Sequence, residues 1–578
     1  MVSNWTAEQL QAINLRNRNL LVAAAAGSGK TAVLVERVIQ LILRDEVNID
    51  QMLVVTFTKA ATSEMRERIS HALIRALHQP GPHLPHVRRQ LTRLNQAPIS
   101  TLHSFCSEVV RRYYHLADVD PAFRVADQNE ADLMRLEALD TVMEAAYEES
   151  APEFLGLIEM FSSARSDQGL RELLLTIYDF VQSQPEPWLW LEEKIQAYAV
   201  DAAALAQSPW LVSLMESAAV QIKAAGDRFN EAMKICQQPD GPAPYVEALE
   251  EDLYSARVLA EALSSGPEAL YQAMQTLTHP RLRTVRGGNQ VLKDTAKRLR
   301  EEGKELLRSL QKSLFNKSLA QWCEELNQLH PYLLQLNRLL QQFSREYQSR
   351  KKAKGVLDFN DLEHFALKIL QDAQAASEYR QRFHYIFVDE YQDSNLVQEA
   401  LLNCIARADN LFMVGDVKQS IYRFRLADPG LFMQKYRLYE NGEKEGCSRI
   451  DLKMNFRSQP AIIAAVNYVF ARIMNRHVGE IDYDEKAFLN HGLAVPEVAR
   501  EAVSVTIIDK QPAGLDLAAV DESSDAVREA GVVAGIIQDL QGKPYYDQAI
   551  KGYRPLKYSD IVVLLRATHN WSLEFMEV

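Results

Sequence analysis

Cysteine is scarce in this chain. There are five in 578 residues, Cys106, Cys236, Cys323, Cys404 and Cys447, far apart and with no C-x-x-C pair. That spacing argues against a disulfide framework or a zinc site and for a reducing cytoplasm. Long apolar runs are absent too: no stretch reaches the roughly 18 uninterrupted apolar residues of a membrane span. The opening "MVSNWTAEQL" has no basic segment leading into an apolar one, so no secretory leader is expected. Positive charge is in deficit, with 64 Lys+Arg against 77 Asp+Glu and a net charge of −13. Bulk charge therefore does not announce a nucleic-acid ligand, and any such site must be local. Neither an internal repeat nor a low-complexity tract interrupts the chain. What remains is 47% hydrophobic and 24% charged, the profile of a soluble globular protein of several domains.

The chain changes grammar twice. Over the first 120 or so residues, "NLLVAAA", "MLVVTFT" and "PISTLHSF" read as short buried strands, each leading into a helical pattern. This is the βαβ alternation of a doubly wound α/β domain. From 127 to 354 the patterns are helical, as in "EADLMRLEALDTVMEAAYEE" and "YLLQLNRLLQQFSREYQSRKK". Within that block "RLRTVRGGNQVLKDTAKRLR" carries seven basic residues and one acid, either a solvated helix with a Gly-Gly turn or a duplex-contacting patch. After Leu357 strands return in "HYIFVDE", "NLFMVGD", "SRIDLKMNF", "VSVTIID" and "DIVVLLR". The simplest layout is a RecA-like P-loop α/β lobe (1–126 and 355–445) split by a helical insertion (127–354). A partial second lobe is expected over 446–578.

"LLVAAAAGSGKT" approximates the P-loop pattern G-x-x-x-x-G-K-[ST], with Ala24 where the first glycine is usual. A buried strand would deliver the chain to a tight turn over Ala24, Ala25, Ala26, Gly27, Ser28, Gly29, Lys30 and Thr31. Backbone N–H groups there, with the helix N-terminus that follows, cradle phosphate. Lys30 reaches the terminal phosphates and Thr31 can hold Mg²⁺. A methyl at Ala24 is acceptable if that residue keeps negative φ. In "YIFVDEYQD" an acid pair ends an apolar strand. Asp389 suits the Mg²⁺ shell, and Glu390 suits the orientation and deprotonation of an attacking water. ATP with Mg²⁺ is the expected cofactor.

"AAAGSGKT", "TFTKAATSEMRERI", "STLHSF", "VDEYQDSN", "GDVKQSIYRFR" and "NFRS" follow the order of the UvrD/Rep-like superfamily 1A DNA helicases, which the chain resembles. "VAAAAGSGKTAVLVERVI" and "VGDVKQSIYRFRLADPGLF", with the long helical insertion, are most similar to the AddA-type helicase–nuclease subunits. The resemblance implies that Gln9 reads adenine through its amide and that Gln419 couples γ-phosphate to the DNA site. It likewise implies that Arg457 neutralises charge on the transferred phosphoryl group. Ala32 departs from compact relatives, which often carry Arg there. Single-strand contacts are expected from Phe57, Tyr422 and Phe424 as stacking platforms, beside Thr56, Thr58, Arg423 and Arg425, with Thr101 and His103 bonding the backbone.

The resemblance further implies a 3′→5′ DNA translocase acting at double-strand ends in recombinational repair, together with an AddB-like partner. No "SKGLE"-like or "VALTRA"-like segment follows "DIVVLLR", and no nuclease site is evident. The chain is therefore expected to be the N-terminal part of a longer protein. Two other readings stay open: a superfamily 1 RNA helicase, and a P-loop ATP-binding scaffold without motor activity. The coupling motif "GDVKQSIYRFR" speaks against the scaffold.

Overall fold

The apolar runs pair into one six-stranded sheet in the computed structural model of the protein. The structure describes residues 5–78, 81, 83–162, 166–440, 445–493, 503–508, 525–547, 550–567 and 571–577. The strands are β1 (Asn19–Ala24), β2 (Met52–Thr56), β3 (Ile99–Thr101), β6 (Tyr385–Val388), β7 (Leu411–Gly415) and β8 (Cys447–Leu452). They lie in the order β3-β2-β6-β7-β1-β8, and every pairing is parallel. Parallel strands need cover on both faces, which is why the four inner runs β1, β2, β6 and β7 are apolar almost throughout, whereas the edge strands β3 and β8 carry polar residues. Successive residues serve opposite layers: Leu21, Leu53, Ile386 and Met413 join one core, and Leu20, Val22, Val54, Phe387 and Phe412 the other.

Because the strands share a direction, the loops at their carboxyl ends share an edge, where open α/β sheets bind ligands. β7 sits between β1 and β6, so the loops after β1, β6 and β7 converge. Threonines start two of the helices there. Thr58 Oγ1 accepts from Ala61 N at the head of α3 (Lys59–Leu77), and Thr101 Oγ1 accepts from Ser104 N, as N-caps do.

Two short strands, β4 (Arg124–Val125) and β5 (Val356–Leu357), pair in parallel where the chain enters and leaves the helical insertion. The insertion holds two cores. One gathers Met134, Leu139, Leu174, Tyr178, Leu340 and Phe343. The other gathers Ile222, Phe229, Leu249, Leu270, Leu299 and Leu307. A 36-residue helix, Leu319–Lys354, returns the chain to the sheet. Lys351 at its end is buried against Asp358 (2.9 Å) and Asp361 (2.6 Å) and lies over the Tyr347 ring.

The expected start of a second lobe at 446 needs correction. β8 is the edge strand of the first sheet, in register with all of β1, because its Ile450 and Leu452 complete the core beneath β1. The first unit extends to Ser458 and resumes over Asn467–Leu493. It includes β9 (Met454–Asn455) paired with β10 (Asn490–His491).

The second unit covers Gln459–Val466 and Ala494–Val578. Its described residues include the helix Asp525–Leu540 and the hairpin β11 (Pro544–Asp547) with β12 (Gly552–Pro555). The strands expected from "VSVTIID" and "DIVVLLR" are not formed over 503–508 and 561–565, and Asp509 lies outside the described residues. A buried strand needs a neighbour for its N–H and C=O groups. Neither segment has one among the described residues, and Ile507 and Leu564 remain 88% and 89% exposed.

Candidate active site

The phosphate loop links β1 to α2 (Lys30–Leu43). Ala24 is a fully buried strand residue without positive φ, so it supports the loop rather than lining it. Ala25 is held by its N–H to Leu452 O (2.9 Å). Gly27 and Gly29 have φ of 69° and 81°, the left-handed region that favours glycine. A Cβ on Gly27 would stand 2.8 Å from Arg457 Cβ and 2.9 Å from Asn455 Nδ2. Gly29 caps α2 with no side-chain bond, so the first-turn N–H groups are free of a protein cap and suit an anion. Ser28 Oγ is buried without a partner among the described residues.

Lys30 and Glu390 meet in a 3.0 Å ion pair. Glu390 follows β6 and is itself in the left-handed region, at φ 53°. Non-glycine residues held there cost about 1–3 kcal/mol and cluster at functional sites. Burial, with the charge of Glu390 beside it, pushes the Asp389 carboxyl up to about 6. The same two causes raise Asp393 to about 6. Thr31, Asp389, Glu390 and Gln419 line one groove. A hydroxyl and one carboxylate suit a Mg²⁺ that keeps its other ligands from water and nucleotide phosphates, so the donor set fits ATP·Mg²⁺.

Gln9, in α1 (Ala7–Asn14), is buried with its amide already engaged. Nε2 donates to Ser28 O (2.9 Å) and Oε1 accepts from Thr6 N (2.9 Å). It therefore ties the N-terminal helix to the phosphate loop rather than standing open to a base. Arg457 is exposed, has no ion-pair partner among the described residues, and lies against Gly27. The loop that carries it is bonded to the phosphate loop: Asn455 Nδ2 donates to Ala26 O (2.8 Å) and Phe456 N to Gly27 O (2.8 Å). Asn455 Oδ1 accepts from the N–H groups of Arg457 and Ser458.

A wider groove of about 840 Å³ runs beside the acid pair. Phe57 is only half-buried, with its ring 4.7 Å from Tyr422. Phe424 follows at 5.8 Å from Tyr422 and is 75% exposed. The Arg425 guanidinium lies over both of the latter rings. Thr101 and His103 line the groove, but the Thr101 hydroxyl serves its helix cap and His103 Nε2 sits 3.2 Å from Glu363. Thr58 is likewise a cap. Thr56 Oγ1 donates to Thr58 O. Arg423 pairs with Glu480.

Sequence reasoning missed Phe359, Glu363 and Gln398 on the groove wall. Phe359 is exposed at the first position of a helix, edge-on to His103. Its signal was an aromatic directly after the N-capping Asp358. Asn455 and Gln392 lay inside quoted motifs, but only their charged neighbours drew a role.

Residues 5–440 match the UvrD/REP helicase N-terminal domain. The chain belongs to the UvrD/Rep helicase family. Among its UvrD/Rep relatives is the AddA-type ATP-dependent helicase/nuclease subunit of Alkaliphilus oremlandii, 46% identical over 99% of this chain and 48% of that protein. The like-named protein from Alkaliphilus metalliredigens is 45% identical over 100% and 48%, and that from Geobacillus thermodenitrificans 41% over 98% and 48%. The chain spans about half the length of these curated relatives. The resemblance to AddA-type helicase–nuclease subunits is borne out. No helix among the described residues is long and apolar enough to cross a membrane.

Proposed function

We propose that this chain forms the ATP-hydrolysing, strand-gripping part of a 3′→5′ DNA helicase, the AddA-type subunit of a helicase–nuclease that processes double-strand ends. The observation that carries this reading is the sharing of one sheet edge by two sites. Asp389 and Glu390 line both the groove with Thr31 and the groove with Phe57 and Arg425. Aromatic rings at stacking distance beside a guanidinium are the chemistry of single-strand binding.

Gly27, Ser28, Gly29 and the head of α2 would bind the phosphates, with Lys30 leaving Glu390 to face the terminal one. Thr31 and Asp389 would hold Mg²⁺, which when bound neutralises phosphate charge. Glu390 orients and deprotonates the attacking water, and Arg457 offsets charge from the other side of Gly27. Gln9 reads adenine only if its bond to Ser28 O is exchanged for one to the base. The AddB-like partner, the nuclease activity and a cytoplasmic setting, in keeping with five free thiols, belong to the same reading of the whole protein.

The full-length protein with its partner subunit should hydrolyse ATP faster with single-stranded DNA than with RNA of the same length. It should also separate duplexes bearing a 3′ tail in preference to a 5′ tail. Equal stimulation by RNA would favour the RNA helicase reading. ATP binding without any strand response would favour the scaffold.

A further inference from the structure

The water-activating carboxylate and the loop after β7 are joined by one buried side chain, Gln392, which is 1% exposed. It occupies the 3-10 turn Tyr391–Asp393, directly after the left-handed Glu390. Its Nε2 donates to Glu390 Oε2 (2.9 Å) and to Asp393 Oδ2 (3.2 Å). Its Oε1 accepts the N–H of Asp416 (3.0 Å). Gly415 makes room for this crossing, because a Cβ there would stand 2.5 Å from Gln392 Oε1.

Asp416 passes the contact on. Its Oδ2 accepts from Gln419 Nε2 (2.7 Å) and its Oδ1 pairs with Lys418 (2.8 Å). Ser420 Oγ donates back to the Gln392 carbonyl (3.4 Å). Lys30, Glu390, Gln392, Asp416 and Gln419 thus form an unbroken bonded series that ends three residues before Tyr422, within the groove that also holds Thr31. An amide suits the middle of this series because one end donates and the other accepts. A carboxylate there would oppose Glu390 and Asp393. An apolar side chain would leave the Asp416 N–H buried without a partner.

The geometry points to Gln392 as the positioning residue through which a strand held at Tyr422 and Phe424 sets the orientation of Glu390, and hence the rate of ATP hydrolysis. This inference rests on the reading of the site as a strand-stimulated ATPase. Gln392 is buried in the wall of the groove that holds Thr31. It acts through Glu390 on one side and the Asp416 loop on the other.

The test uses the full-length protein with its partner subunit, ATP·Mg²⁺ and oligothymidylate, and reads three quantities: the ratio of kcat with and without oligonucleotide, KM for ATP, and strand affinity by anisotropy. Gln392→Met, which keeps the volume and loses all three side-chain bonds, should cut the stimulation ratio about tenfold or more while KM and strand affinity stay within about twofold. Gln392→Glu keeps the acceptor for Asp416 N–H and loses the donor to Glu390. It should show the same loss, and it stands in if the Met variant folds poorly. A wild-type stimulation ratio in both variants overturns the inference. So does a parallel collapse of all three quantities in both, since that marks a residue that merely holds the fold. A wild type indifferent to oligothymidylate removes the reading of the site, and the inference with it, before any variant is made.

Discussion

Lys30 and Glu390 are each other's counter-charge in this structure, at 3.0 Å, so neither can be changed without altering the other's surroundings. Lys30→Ala removes the charge aimed at phosphate and no core volume. It should abolish ATP turnover in the intact protein while shifting stability by under about 1 kcal/mol, read by a coupled ATPase assay and by thermal melting. Glu390→Gln keeps shape and most hydrogen bonding but loses the base. ATP binding should survive and hydrolysis should fall by about 10²–10⁴, which nucleotide binding and single-turnover hydrolysis measure separately. These charged residues were legible in the sequence because a P-loop lysine and a strand-ending acid pair have few other uses. Gln392 and Asn455 were not, since a neutral amide states its role only through what it touches. The engaged state of Gln9 was equally hidden: the motif names the residue but not the carbonyl it bonds to.

The elements that carry these residues make separable demands. The aromatic row on the β7 side should bind strand by stacking. Tyr422→Ala and Phe424→Ala are each expected to weaken single-strand binding by about 1–3 kcal/mol at low and high salt alike. Arg425→Ala should instead flatten the slope of affinity against salt, and titrations at several salt concentrations distinguish the two behaviours. At the foot of the long helix, Lys351 stands between two buried carboxylates. Lys351→Met leaves both without a counter-charge and should destabilise the protein by about 3–5 kcal/mol in urea unfolding. Adding Asp361→Asn should recover part of that. Strand and helix identities in the first lobe could be read from apolar runs and the helical patterns that follow them. The edge position of β8 could not, because "SRIDLKMNF" looks the same whether it opens a new sheet or closes the old one. What decides is the core beneath β1, which only three-dimensional packing reveals.

At the scale of the whole molecule, charge and apolar exposure point to different places. A net charge of −13 disfavours nucleic acid over most of the surface, so the proposed strand site should depend on the local charge of Arg425 beside the rings. In the second unit, Val505, Ile507, Val562 and Leu564 stand exposed in segments with the composition of strands. Exposed apolar segments of this kind invite association with another chain. Residues 1–578 produced alone should therefore self-associate with rising concentration, as read by light scattering, and Val562→Lys with Leu564→Lys should suppress it. An unchanged scattering profile in the double variant would place the sticky surface elsewhere.

The pairing of β4 with β5 has a topological consequence. Neighbouring strands lie about 4.8 Å apart, so the main chain departs from the sheet domain and comes back through a single narrow gate. The helical block between them carries the chain back along the pair, so that Val356 starts beside Arg124. Because the two strands run the same way, the whole insertion is, to the sheet domain, a crossover connection rather than a turn. Whatever the length of the helices in between, the register of Arg124 with Val356 and of Val125 with Leu357 sets the distance the insertion has to span.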